Sequence, residues 1–195
     1  MRLILASSSI YRRQLLERLR LPFEVAVPDV DESPLPSEAP DHLALRLARL
    51  KAQTIAEHHP DAIVIGSDQV AALGMQCLGK PGSHANAVAQ LKQLQGQTVI
   101  FHTAVCVAQN TQINTVNVKT TCCFRPLSNA EIENYLTFER PYDTAGSAKA
   151  ESLGISLMQS MQSNDPTAII GLPLIELSRL LRELGLNPLS TPIHY

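Results

Sequence analysis

No run of apolar residues in this 195-residue chain approaches the ~18 that a membrane-spanning helix needs. The apolar part of the opening "MRLILASSS" is too short for a secretory signal and leads straight into a helical pattern. The chain is therefore expected to remain unexported, in the cytoplasm. It also lacks charge of one dominant sign: 16 Lys and Arg stand against 18 Asp and Glu, a net charge of -2. That excludes a global field for a nucleic acid polymer or an anionic membrane, so any anion site must be local. The four cysteines, Cys77, Cys106, Cys122 and Cys123, include no CxxC pair. Neighbouring strand residues point to opposite faces, so Cys122 and Cys123 are not placed to bridge, and free buried thiols are expected. His58-His59 has no partner at zinc-ligand spacing and reads as a polar helix end. Internal repeats, linkers and low-complexity segments are absent as well.

What is present is an ordinary globular composition, 45% apolar, in a chain long enough to bury a substantial core. Residues 2–6 read as a short buried strand, and about 10–20 as a helix capped by one of the serines before it. "FEVAV" starts as a strand and dissolves into the acidic, proline-rich "PDVDESPLP". A helix follows over about 41–58, and then the apolar strand "DAIVIGSDQVAAL", which is expected to deliver Ser67, Asp68 and Gln69 at its end. "LGKPGS" reads as a turn and 85–94 as a helix. Alternating stretches at 98–108 and 112–124 form a hairpin. "SNAE" at 128–131 is a capping box. The closing helix is expected to place Pro173 at its first position and Gly185 at its stop. Interleaved strands and helices imply one α/β domain over residues 1–195 with a mixed sheet.

Several residues look chemical, each with a plain structural reading beside it. Asp68 follows a buried strand, where catalytic groups of α/β proteins lie, or else it bonds its own turn. Asp29, Asp31 and Glu32 form either a solvated acidic loop or oxygen donors for a hard cation. Lys51 sits on the apolar stripe Leu43, Leu47, Lys51, Ile55, where an ammonium needs an anionic partner or a route to water. Lys80 lies in "GKPG", as a surface turn residue or a phosphate ligand. Together with Arg12 and Arg13 at a helix start, these are the parts that polyphosphate hydrolysis needs: donors and cations for phosphate, and carboxylates for metal and water.

These motifs resemble the Maf family of nucleoside triphosphate pyrophosphatases through nearly the whole chain. "LILASSSIYRRQLLERL" is similar to the family's opening segment, "PDVDES" to its acidic loop and "LRLARLKAQ" to its lysine helix. "IGSDQV", "LGKPGS" and "IIGLPL" resemble its catalytic-aspartate strand, Gly-Lys-Pro turn and closing segment. The resemblance implies an elongated fold like that of the inosine triphosphate pyrophosphatases, a mixed sheet flanked by helices around a central cleft. It also implies a divalent cation (Mg²⁺ or Mn²⁺), a homodimer, and Asp68 as proton acceptor. Ser8, Arg12, Arg13, Lys51 and Lys80 match the positions around the triphosphate, and Glu32 the acidic position associated with the metal.

Within the family, "GSDQV", "AGSAKAESLGI" and "NDPTAIIGLPL" look most like the branch acting on 7-methyl-GTP. Tyr11, Gln69 and Glu151 fall where the branches differ. Guanine presents two adjacent donors that one carboxylate can accept, and N7-methylation makes the base cationic. Glu151 suits both features, and Tyr11 offers a stacking ring with a cation–π contribution. The chain departs from the family at Ile10, where proline is usual, at Tyr11, where this branch commonly has tryptophan, and at Ser152-Leu153. The alternatives are the same chemistry on dTTP, UTP or modified pyrimidines, and a non-catalytic regulator of septum formation.

Overall fold

The computed structural model describes residues 1–190. Seven strands form one mixed sheet: β1 (Arg2–Ala6), β2 (Glu24–Ala26), β3 (Ala62–Leu73), β4 (Gln76–Leu78), β5 (Thr98–Gln109), β6 (Gln112–Phe124) and β7 (Met158–Ser163). Their order is β2-β1-β3-β5-β6-β7, with β4 paired to β3. β1 runs parallel to β2 and β3, and every other pairing is antiparallel. The five α-helices among the described residues are α1 (Ile10–Glu17), α2 (Pro40–Ala56), α3 (His84–Leu94), α4 (Asn129–Glu139) and α5 (Leu174–Glu183).

β1 shows how strand alternation builds two layers. Leu3 and Leu5 face a cluster with Leu15 and Leu16 of α1 and Leu177 and Leu181 of α5. Ile4 and Ala6 face the opposite cluster, with Leu43, Ala44 and Leu47 of α2. A third cluster joins Leu91 and Leu94 of α3 to Phe101, Phe124 and the α4 residues Ile132 and Leu136.

Two features of β3 position the site. A Cβ on Gly66 would stand 2.2 Å from the Ala48 carbonyl oxygen and 2.6 Å from the Ala52 nitrogen. Only glycine therefore lets the backbone of α2 lie this close to the strand. The second feature is a gap. β1 pairs with β3 through Gly66, and β4 begins pairing at Ala71. Among the described residues, 67–70 thus keep β5 on one side and no strand on the other. Asp68, expected at a strand end, instead lies inside a twelve-residue strand. What ends near it is the neighbour β1, a pairing that the local sequence does not encode.

Other boundaries move for local reasons. Ser9 caps α1, its hydroxyl accepting from the Arg12 amide, and the helix ends at Glu17 rather than Arg20. α2 ends at Ala56, short of His58. Pro173 occupies the cap of α5 and not its first turn, while Gly185 stops it at φ 79°. The capping box on α4 is complete, with Ser128 and Glu131 each bonding the other's backbone. The 110–111 turn closes the β5–β6 hairpin with Asn110 at φ 52°. All four cysteines are free; Cys106 and Cys122 are buried, and burial pushes the Cys122 thiol up to about 12. No helix among the described residues is long and apolar enough to cross a membrane.

Candidate active site

A cavity of about 610 Å³ opens at the gap in the sheet. Its walls come from the serine loop and α1, the acidic loop at Glu32, α2, residues 68–70 of β3, the 77–80 turn, the 143–151 loop and the 169–171 turn. Of the ten residues singled out from the sequence, nine line this cavity: Ser8, Tyr11, Arg12, Glu32, Lys51, Asp68, Gln69, Lys80 and Glu151. Arg13 does not. One residue along a helix turns a side chain by about 100°, and Arg13 instead points outward to pair with Glu17 at 3.2 Å on the exposed side of α1.

The centre of the cavity is an ion triplet. Lys51 Nζ lies 2.7 Å from Asp68 Oδ1 and 2.8 Å from Glu32 Oε1. The lysine side chain is only 7% exposed and that of Asp68 11%, whereas Glu32 is 60% exposed. Lys51 therefore satisfies its charge with carboxylates and not by reaching bulk water. Asp31 and Asp29 stand outside this triplet; Asp31 accepts the Ser33 amide at 2.9 Å and shapes the loop. A bidentate ion pair, Arg46 with Glu38, anchors the same loop, and Arg46 also donates to the Ser33 carbonyl at 2.9 Å. These contacts hold Glu38 down at about 2.

Arg12 donates its Nε–H to the Gly171 carbonyl at 2.9 Å, and its terminal nitrogens have no hydrogen-bond partner among the described residues. Burial pulls its pKa down, while the charges of Asp68 and Glu32 pull it up. Lys80 is exposed and has no ion pair among the described residues. Gln69 brings its amide nitrogen within 3.0 Å of three acceptors, Thr103 Oγ1 and the carbonyls of Ala168 and Ile169.

The 168–171 turn is thus a shared acceptor for Arg12, Gln69 and Ser67, whose hydroxyl reaches the Gly171 carbonyl at 3.0 Å. Its shape depends on Gly171 at φ 123° and on a clamp formed by Asp165 and Thr167. Asp165, fully buried, accepts from the Thr167 amide and hydroxyl and from the Ile175 amide. Thr167 links to the Leu172 carbonyl and the Leu174 amide. The sequence marks this segment as a motif, "NDPTAIIGLPL", but assigns no role to its single residues. Side chains that bond backbone two residues on are legible as a turn device, but their partners across the fold are not.

At another wall, Tyr11 donates its phenol to Asp143 at 3.4 Å, and Lys149 Nζ stands 5.8 Å from the ring centroid. Desolvation pushes the Glu151 carboxyl up, as do Glu139 and Asp143, against the pull of Lys149. The charges acting on Arg12 and those acting on Glu151 are different sets. The cavity is lined by the cations Arg12, Lys51 and Lys80 and, at its 143–151 wall, by an aromatic and acidic group, Tyr11, Asp143 and Glu151. Together with an α/β sheet opened at one strand, this lining suits an anionic ligand carrying a planar group.

Comparisons agree. A HAM1 protein from Coxiella burnetii shares the fold at TM-score 0.51 and 14% identity, over 94% of this chain and 99% of that one. The mixed α/β fold expected from the sequence is thus met. A family model described as Maf-like protein matches residues 2–184, and the chain belongs to the Maf family. A 7-methyl-GTP pyrophosphatase of Bordetella avium (strain 197N) is 60% identical over 98% of this chain and 97% of its own. One from Aromatoleum aromaticum is 58% identical over 95% and 96%.

Proposed function

We propose that this chain hydrolyses 7-methyl-GTP between the α- and β-phosphates, releasing 7-methyl-GMP and pyrophosphate. The observation that carries the reading is the buried Lys51–Asp68 pair, set beside the free guanidinium nitrogens of Arg12 and the unpaired Lys80. The names of the relatives supply the base. Phosphate oxygens compete for the Lys51 ammonium, and Asp68 is then free to accept a proton. Asp68 takes the proton of the attacking water as its oxygen bonds to phosphorus. The bridging P–O bond breaks, and its electron pair leaves on pyrophosphate, whose charge Arg12, Lys51 and Lys80 offset. Ser8 at the start of α1 adds a hydroxyl beside the phosphates.

Among the described residues no group of three or more His, Cys, Asp or Glu is arranged to hold a metal. Glu32 and Asp68 still fit Mg²⁺ or Mn²⁺, because such ions take one or two carboxylates and complete their shell with water and substrate phosphates. Bound there, the cation would neutralise phosphate charge and lower the pKa of a bound water. The family resemblance supports a homodimer acting in the cytoplasm on free nucleotides.

Turnover of 7-methyl-GTP measured against GTP, dTTP and UTP, with Mg²⁺ and with Mn²⁺, tests the proposal; 7-methyl-GTP among the poorest substrates would sink it. Asp68→Asn is expected to lower kcat by about 10²–10⁴ with an unchanged circular dichroism spectrum. Retained activity would remove Asp68 from the role.

A further inference from the structure

The acidic wall of the cavity holds more charge than base recognition by Glu151 alone requires. Asp143 and Glu151 both line it, and neither has an ion-pair partner among the described residues. Lys149, by contrast, is loosely matched with Glu139 at 3.7 Å and already places its ammonium over the Tyr11 ring. That separation is within the ~6 Å at which an aromatic face attracts a cation. Tyr11 therefore stands between opposite charges: its hydroxyl on Asp143, its ring under Lys149.

We propose that Asp143 and Lys149 together set selectivity for the charge of the nucleobase, Asp143 favouring a cationic base and Lys149 opposing it. The proposal rests on the reading of this cavity as a nucleotide site and adds two specificity residues to it. An anionic neighbour lowers the energy of a cationic base and leaves a neutral one nearly unaffected. A cation on the ring draws on the same π-density that a second cation would use. Lys149 consequently restrains the grip on a charged base. The restraint is useful, because binding that is equal in substrate and product slows release without helping the chemical step.

Opposite signs make this testable. The inhibition constants of 7-methyl-GMP and GMP are measured as competitors of whichever triphosphate the enzyme turns over best. Asp143→Asn is expected to lower the preference for 7-methyl-GMP about fivefold, the size of one unit charge acting at ~5 Å in a near-aqueous dielectric. Lys149→Gln is expected to raise it by a similar factor, and both shifts should shrink in 0.5 M salt, where the screening length falls to ~4 Å. Tyr11→Phe keeps every charge and should not reproduce the Asp143→Asn shift.

The proposal is overturned if both charge variants lower the preference, if neither moves it, or if Tyr11→Phe matches Asp143→Asn. If a pyrimidine triphosphate proves the best substrate while the two shifts keep their opposite signs, the proposed function falls and the charge selection stands. If 7-methyl-GTP is the best substrate and the shifts are absent, the reverse holds.

Discussion

Lys51 shows how one side chain ties stability to the layout of the candidate site. Desolvating an ammonium is costly, and two carboxylates at 2.7 and 2.8 Å offset that cost. Removing the lysine leaves Asp68 nearly buried without its ion-pair partner, with the Arg12 charge acting on it only at longer range. Lys51→Met is therefore expected to lower stability by about 3 kcal/mol, read as a fall in the urea midpoint, and to raise KM for the triphosphate. A variant as stable as wild type would show that the pair contributes nothing net. The apolar stripe around Lys51 was legible in the sequence, and so was its need for a partner. Which carboxylates meet it was not, since Glu32 and Asp68 lie 19 and 17 residues away on other elements.

At the scale of elements, the long strands, the hairpin and the capped helices follow from periodicity and capping, and the sequence carries both. β7 does not. Its "MQSMQS" is polar and exposed, so neither alternation nor apolar content marks it as a strand. β4 is only three residues long. The 168–171 turn is the element whose geometry matters most to Arg12. Thr167→Val removes the hydroxyl at nearly constant volume and leaves the Leu172 carbonyl and Leu174 amide without that partner. The expected cost is about 1–3 kcal/mol of stability with a several-fold rise in KM. In an Arg12→Ala background the kinetic effect should largely disappear while the stability loss persists, because Thr167 would act on the kinetics only through the turn whose Gly171 carbonyl holds Arg12.

The acidic loop gives a pH prediction. Glu38 is held at about 2, chiefly by its hydrogen bonds with Arg46. A depressed carboxylate contributes stability fully above its unfolded pKa and loses it as pH falls through the folded value. The difference in melting temperature between wild type and Glu38→Gln should thus be constant above about pH 5 and close towards pH 2. A gap that widens on acidification would contradict this assignment.

For the whole molecule, α2 must sit hard against the sheet for Lys51 to reach Asp68. The stripe Ala44, Ala48 and Ala52, all fully buried, and Gly66 beneath it make that approach possible. A side chain at Gly66 would meet backbone, which cannot rotate away. Gly66→Ala is expected to cost at least about 1–3 kcal/mol and to lower kcat/KM well beyond its effect on folding, because the displaced helix carries Lys51 with it. Thermal melts and kinetics on the same sample check both. The family motifs in the sequence already brought nine of the ten chosen residues to one cavity. The exception, Arg13, differs from its neighbour only by a helical rotation.

The four-residue opening in β3 also bears on how the protein resists self-association. A bare strand edge inside a sheet is a template for a foreign strand, and such edges promote aggregation. Here the opening spans only residues 67–70, about 13 Å at the usual rise, and is closed at its two ends by β1 and β4. Arg12, Lys51 and Glu32 hold charge around it. A stray β-segment finds too short a berth and too polar an entrance, so the opening serves as its own gatekeeper.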